Sequence, residues 1–274
     1  MGSGTDHRPI GLFDSGVGGL TVLSAVRDRL PAESTIYLGD NARTPYGPRP
    51  GDDVRTFTLE CTRWLLAHDI KLLVLACNTA TSQALREVRA VSPVPVLGVV
   101  RPGALAAAAS TRSGHVGVVA TAGTVGSGAY PAALGEVAAS LHVTQQACPR
   151  LVPLVEAGAL GGAEVNDAVH SYLGQLIDAD PAIDTLLLGC THYPLLRPLI
   201  EEVVGPRVAV VDSAFSTALA AEDLLDALGA RAPEGGAATN LVYTTGDLAS
   251  FVTVAERIFP GALPGVEQAI VAAD

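Results

Sequence analysis

The chain has 274 residues, 49% of them apolar and 16% charged, which is enough to bury a large core and unlike the polar composition of a disordered chain. Its 17 basic residues against 28 acidic ones give a net charge of −11, a poor match to phosphate backbones, so no direct nucleic-acid binding is expected. No run approaches the ~18 consecutive apolar residues of a membrane span. Met1–Pro9 lacks the basic-then-apolar order of a secretory signal and reads as a short disordered lead-in.

In chain order, short apolar runs predict strands at Ile10–Phe13, Thr35–Leu38, Leu72–Ala76, Val94–Val99, Val116–Ala120, Leu141–Thr144, Thr185–Leu188, Val208–Val211 and Leu241–Tyr243. Helical periodicity falls between them, at Leu20–Leu30, Asp53–Ala67, Ser82–Val91, Ala163–Ile177, Leu195–Val204 and Thr217–Leu228. Alternation of Val/Leu-rich strands with helices predicts an α/β fold with mainly parallel sheets covered on both faces. A weak internal repeat divides the chain. Gly11-Leu12-Phe13-Asp14-Ser15-Gly16 is similar to Gly117–Gly123, and Leu73–Thr79 is similar to Leu186–His192, at offsets of 106 and 113 positions. Two related α/β domains are expected, one from residues 8–98 with 212–274 and the other from 99–211.

Sixteen of the basic residues are Arg, and Lys71 is the one Lys. It sits where a strand begins and reads as a solvated strand entry rather than the Schiff-base lysine of a pyridoxal phosphate enzyme. A phosphate-binding P-loop also needs a Lys after its second Gly and is excluded. The four cysteines, Cys61, Cys77, Cys148 and Cys190, are too few for a disulfide scaffold and imply a cytoplasmic chain with reduced thiols.

Cys61 and Cys148 read as core packing. Cys77 and Cys190 differ, because each ends a predicted strand just before a helix, the ligand-binding edge of a parallel sheet. A helix N-terminus there lowers a thiol's pKa and attracts anions. Asn78 and Thr79 follow the first thiol, and Thr191 and His192 the second. Such a pair fits a two-base proton transfer, a nucleophilic Cys190 with His192 as base, or a metal held by Cys77, Cys190 and His192. Zinc normally shows closer ligand pairs and a fourth ligand, so metal ranks last and none is expected. A single-nucleophile enzyme has no use for the second cysteine, which favours two bases.

The glycine-rich turn from Asp14 to Thr21 fails as a dinucleotide fingerprint because residue 21 is Thr where the third Gly belongs. It reads either as a plain tight strand-to-helix turn or as one that also aims Asp14 and Ser15 at a ligand. The loop 39–47, with Asp40, Tyr46 and Gly47, reads either as a solvated surface loop or, by its mixed character, as one that contacts substrate. Glu156 is a lone carboxylate after an apolar run, as consistent with the surface as with a site.

At these residues the chain resembles the glutamate racemases, which interconvert L- and D-glutamate without a cofactor. The stretches carrying the resemblance are GLFDSGVGGLTV (11–22), GDNARTPYG (39–47), ACNTATS (76–82), VVRPGA (99–104), GVVATAGTVGSGAY (117–130), PLVEAG (153–158), GCTHYPLL (189–196) and VDSA (211–214). Thr81 and Arg101 depart from the family's pattern without touching a position assigned to catalysis. The resemblance implies two α/β domains related by a pseudo-twofold axis, with the active site between them and no cofactor. It implies Cys77 as the base toward D-glutamate and Cys190 as the base toward L-glutamate. Asp14 and His192 would assist the two thiols, with Asp40 and Glu156 as auxiliaries. Asp14, Ser15, Tyr46, Gly47, Asn78, Thr79, Thr191 and His192 would bind the small-molecule substrate. A homodimer and a supply of D-glutamate for peptidoglycan are further implications. Aspartate or a hydantoin as substrate, and Cys190–His192 amide hydrolysis, are the alternatives.

Overall fold

The computed structural model describes residues 5–233, 235–258, 263 and 265–272. Its strands are β1 (Ile10–Asp14), β2 (Thr35–Gly39), β3 (Leu72–Leu75), β4 (Val96–Gly98), β5 (His115–Ala120), β6 (His142–Ala147), β7 (Thr185–Gly189), β8 (Ala209–Asp212), β9 (Asn240–Thr244) and β10 (Val266–Gln268). The helices are α1 (Leu20–Arg29), α2 (Gly51–Leu66), α3 (Asn78–Val91), α4 (Val100–Ser110), α5 (Ala122–Ser127), α6 (Ala129–Val137), α7 (Leu151–Glu156), α8 (Ala163–Ala179), α9 (Arg197–Val204), α10 (Ala214–Leu228) and α11 (Leu248–Ile258).

The strands form two sheets, one in the order β10-β9-β2-β1-β3-β4 and the other β6-β5-β7-β8. Every pairing is parallel. The run β2-β1-β3-β4 therefore has the same topology as β6-β5-β7-β8, and the weak sequence repeat is a repeat of structure. β9 and β10 extend the first sheet beyond β2.

Alternate side chains of the central strands feed cores on opposite faces. Leu12, Leu72 and Val74 pack with α1 and α10, whereas Phe13, Leu73 and Leu75 pack with residues of α2 and α3. In the second sheet Leu186 and Leu188 join α8 and α9, while Leu187 joins Val118, α4 and α6. Each such Leu, fully buried, contributes about 1.5–3 kcal/mol relative to exposure. A period of two with apolar residues on both faces is why these strands read as continuous apolar runs.

Four expectations change. The lead-in is tied down at Asp6, whose amide donates to the Arg231 carbonyl at 3.2 Å and whose own carbonyl accepts from Lys71 at 2.7 Å; residues 1–4 lie outside the described residues. Lys71 is not a solvated strand entry. Its ammonium is buried, 2.6 Å from Glu33 and bonded to the carbonyls of Asp6 and Ala230, which together replace its hydration. The helix after Cys77 begins at Asn78 rather than Ser82, so Asn78 and Thr79 lie inside its first turn. The helix after Cys190 begins only at Arg197, since Tyr193–Leu196 forms a 3-10 turn.

Candidate active site

In each sheet the first and third strands lie side by side and their helices depart to opposite faces, which leaves a crevice at their carboxyl ends. Both crevices hold a thiol. Cys77 follows β3 and is the N-cap of α3, its sulfur accepting the Ala80 amide at 3.4 Å and lying 3.6 Å from Ser15 Oγ. Cys190 follows β7, and His192 Nδ1 is 3.9 Å from its sulfur. His192 Nε2 is in turn 2.6 Å from Glu156 Oε1, at the end of α7. The lone carboxylate after an apolar run thus sits in the site.

Asp14, at the end of β1, joins the two crevices. Its Oδ2 accepts the Gly16 amide at 2.9 Å, and its Oδ1 accepts the Thr191 hydroxyl at 3.3 Å from the other half of the molecule. This close approach needs glycine. A Cβ on Gly18 would overlap His192 Nδ1 and come within 2.6 Å of Thr191 Oγ1, and one on Gly16 would come within 2.6 Å of Glu156 Oε1. Tyr37 clamps the turn from below, donating to the Gly16 carbonyl at 2.7 Å.

The loop 40–47 is anchored rather than solvated. Asp40 is buried and accepts from Arg43 Nε at 2.7 Å, from Thr245 Oγ1 at 2.6 Å and from the Tyr46 hydroxyl. These partners occupy its carboxylate within the loop and at the end of β9. The Tyr46 ring is buried beside Phe13 and Phe57, and its hydroxyl is directed at Asp40. Gly47 makes the contact across the seam, its carbonyl accepting the Gly123 amide at 2.9 Å.

Asn78 and Thr79 lie in the first turn of α3. Asn78 Oδ1 accepts the Tyr130 hydroxyl at 2.6 Å, while its buried Nδ2 has no partner among the described residues and can donate to a ligand acceptor. Thr79 Oγ1 is 2.9 Å from Thr121 Oγ1, which also caps α5 by accepting the Thr124 amide. Thr121, Tyr130 and Tyr37 belong to the site, and the sequence reading missed them. Thr121 had a signal, because the repeat places it in the β5 turn that matches Asp14 and Ser15 in the β1 turn.

Asp14, Cys77 and His192 are all buried. Burial pushes the Cys77 thiol up to about 12, and the Asp14 charge adds to it against the opposing Ala80 amide and Ser15 hydroxyl. The expected lowering by the helix N-terminus is therefore overturned, since desolvation exceeds what those donors supply. Burial likewise raises Asp14, against the His192 charge and the Gly19 and Gly16 amides. Burial disfavours a charged His192, but the hydrogen bonds to Cys190 and Glu156 outweigh it and hold the imidazolium well above its ordinary range.

The site is shut. Cys77 is 4% exposed and Cys190 5%. A cavity of about 60 Å³ lies at the edge of the seam between Pro45, Gly47 and Pro48 on one side and Thr121, Cys148 and Val152 on the other. It has room for a handful of waters, so admitting a larger ligand requires the seam to open.

Residues 20–221 match the profile of the Asp/Glu/Hydantoin racemase family. A glutamate racemase of Oceanobacillus iheyensis is 46% identical over 92% of each chain. The crystal structure of a glutamate racemase isoform from Bacillus anthracis is 41% identical and covers 97% of this chain and 98% of its own, with a TM-score of 0.92. That of a glutamate racemase from Francisella tularensis, in complex with D-glutamate, is 29% identical over 98% and 99%, with a TM-score of 0.89. With two parallel α/β sheets in matching order and a thiol at the crevice of each, the chain belongs to the Asp/Glu/Hydantoin racemase family and, within it, to the glutamate racemases.

Proposed function

We propose that the chain interconverts L- and D-glutamate by a two-base proton transfer in which Cys77 and Cys190 act on opposite faces of Cα. The observation that carries this reading is the repeated crevice, with one thiol in each and a separate set of partners for each thiol. Cys77 acts on D-glutamate with Ser15 and Asp14 beside it, and Cys190 acts on L-glutamate with His192 and Glu156. One thiolate takes the α-proton, leaving a planar carbanion, and the opposite thiol returns a proton to the other face.

The substrate supplies a charge that the protein's own groups around the thiols do not. A thiol with a pKa of about 12 costs on the order of 7 kcal/mol to ionise at pH 7. The substrate ammonium, placed between Asp14 and the sulfurs, offsets part of that cost by Coulomb attraction in a water-free site. Its carboxylates are received by neutral donors, namely Ser15, the unpartnered Asn78 Nδ2, Thr79, Thr191 and the first amides of α3. Residues 8–98 with 212–274 act as one lobe and 99–211 as the other, parting along the seam to admit substrate. The chain works as a homodimer in the cytoplasm and supplies D-glutamate for peptidoglycan. No helix among the described residues is long and apolar enough to cross a membrane.

The Cys190–His192–Glu156 chain also has the order of nucleophile, base and orienting carboxylate, which favours amide hydrolysis as the second reading. One experiment separates the two. The protein is incubated with L-glutamate in D₂O without pyridoxal phosphate, and optical rotation and the Cα proton signal are followed together. Racemisation gives loss of rotation with deuterium entering Cα. Release of ammonia from an amide substrate, with no deuterium at Cα of glutamate, would instead support the hydrolase.

A further inference from the structure

At the opposite edge of the second sheet from Cys190, three side chains meet that the racemase reading does not use. His115 is the first residue of β5 and His142 the first of β6, and the two are direct partners in the parallel ladder. Their ring centroids are 5.0 Å apart. Asp180, the C-cap of α8, faces both, with its Oδ2 2.9 Å from His115 Nδ1 and 3.8 Å from His142 Nε2. One ligand atom from each residue lies within 4.8 Å of the other two.

We propose that His115, His142 and Asp180 form a binding site for a divalent transition-metal ion of the zinc type. Two imidazoles and a carboxylate are borderline ligands of the kind zinc takes, at about 2.0–2.1 Å each. A tetrahedral ion with such bonds places its ligand atoms about 3.3 Å apart. The two separations from Asp180 fall on either side of that value, so small side-chain rotations suffice to close the site. The carboxylate is already oriented by outer partners, as second-shell groups orient metal ligands. The Ala182 amide donates to Oδ1 at 3.1 Å and Thr144 Oγ1 to Oδ2 at 3.3 Å.

The Asp180 side chain is 7% exposed whereas that of His142 is 64% exposed. The buried carboxylate is thus a fixed anchor, and the exposed imidazole gives an entry path and leaves room for water in the fourth position. The ion would pin the starts of β5 and β6 to the end of α8. Those strands and their partners carry Thr121 and Cys190 at the other end, so the ion's role is to stabilise the second sheet rather than to enter the chemistry.

The test titrates the full reduced chain with Zn²⁺ by calorimetry and follows the imidazole signals of His115 and His142 by NMR. The expected result is one equivalent bound, shifts of both imidazoles that saturate at that equivalent, and a melting temperature raised by a few degrees. In His142→Gln, whose side chain is exposed and leaves the core intact when replaced, binding weakens at least tenfold. Racemase activity of that variant without metal stays unchanged. Equal affinity in wild type and His142→Gln would place the ion elsewhere, on the reactive thiols for example, and overturn the proposal. So would imidazole signals that stay fixed in 100 µM Zn²⁺.

Discussion

Replacing Glu156 by Gln tests how the second thiol is driven. The carboxylate accepts from His192 Nε2 at 2.6 Å and, with Cys190, keeps the imidazole charged in spite of burial. Gln is isosteric and can still accept at that position, which matters because Gly16 leaves no spare room beside Oε1. What is lost is the charge. Hydrogen bonds to charged groups contribute about 1.5–3 kcal/mol, and a neutral one about 1 kcal/mol, so the net loss is about 1–2 kcal/mol. At 1.4 kcal/mol per tenfold, kcat/KM falls roughly 5- to 30-fold. Because enantiomers have equal free energy, the equilibrium constant is one and kcat/KM must fall equally in both directions. The asymmetry appears in isotope effects. With α-deuterated L-glutamate, abstraction at Cys190 becomes the slow step and its primary effect is fully expressed. With α-deuterated D-glutamate, abstraction at Cys77 is reversed many times before slow proton return at Cys190, so the effect shrinks. Unchanged kcat/KM, or isotope effects that stay equal for the two enantiomers, would refute the assignment of His192 and Glu156 to the Cys190 side.

Three other outcomes follow from the geometry. Gly18→Ala drives a methyl group into His192 and Thr191. It should cost about 1–3 kcal/mol of stability by overpacking and lower kcat/KM by tenfold or more, measured by melting temperature and steady-state kinetics. Lys71→Met leaves Glu33 as an unpaired buried charge and should destabilise by about 3–5 kcal/mol, while kcat of the folded fraction stays near wild type without pyridoxal phosphate. Loss of kcat with no loss of stability would instead make Lys71 a reacting group. Asp184 accepts from Thr111 Oγ1 at 2.6 Å and from the Arg112 and Ser113 amides at 2.8 and 2.7 Å. Burial opposes its charge, but these donors hold its carboxyl well below the usual carboxylate range. A depressed folded-state pKa adds stability above the unfolded value near 4, and that contribution is lost as pH falls below it. Asp184→Asn should therefore be less stable than wild type at pH 7, with the gap shrinking steadily as pH falls from about 4 towards 2 in denaturant titrations; a gap independent of pH would contradict this.

The sequence carried most of the sheets, because doubly buried parallel strands are apolar at every position and stand out from their surroundings. β10 did not stand out, since Val266–Gln268 has a single apolar residue and its pairing with β9 supplies the rest. Cys77 and Cys190 were legible through the repeat, which specifies position relative to a strand end. Glu156, a lone carboxylate in the sequence, gained its place only when α7 was brought against His192, a pairing 36 positions apart that no local pattern encodes. Lys71 misled for a related reason. A lysine at a strand entry is normally solvated, and here the carboxylate and carbonyls that bury it come from three distant segments. The thiol pKa misled because the helix end is a local feature whereas desolvation belongs to the closed molecule.

The central claim is that each thiol serves one face, and single-cysteine variants offered 3-chloroglutamate test it most directly. Removal of the α-proton with loss of chloride from Cβ needs one base and no returning acid, and the enamine product hydrolyses to 2-oxoglutarate and ammonia. The account predicts that Cys77→Ala and Cys190→Ala both stop racemising glutamate. It further predicts that Cys190→Ala still eliminates chloride from the D enantiomer and Cys77→Ala from the L enantiomer. Racemisation by either variant, or elimination from both enantiomers by one of them, would contradict it.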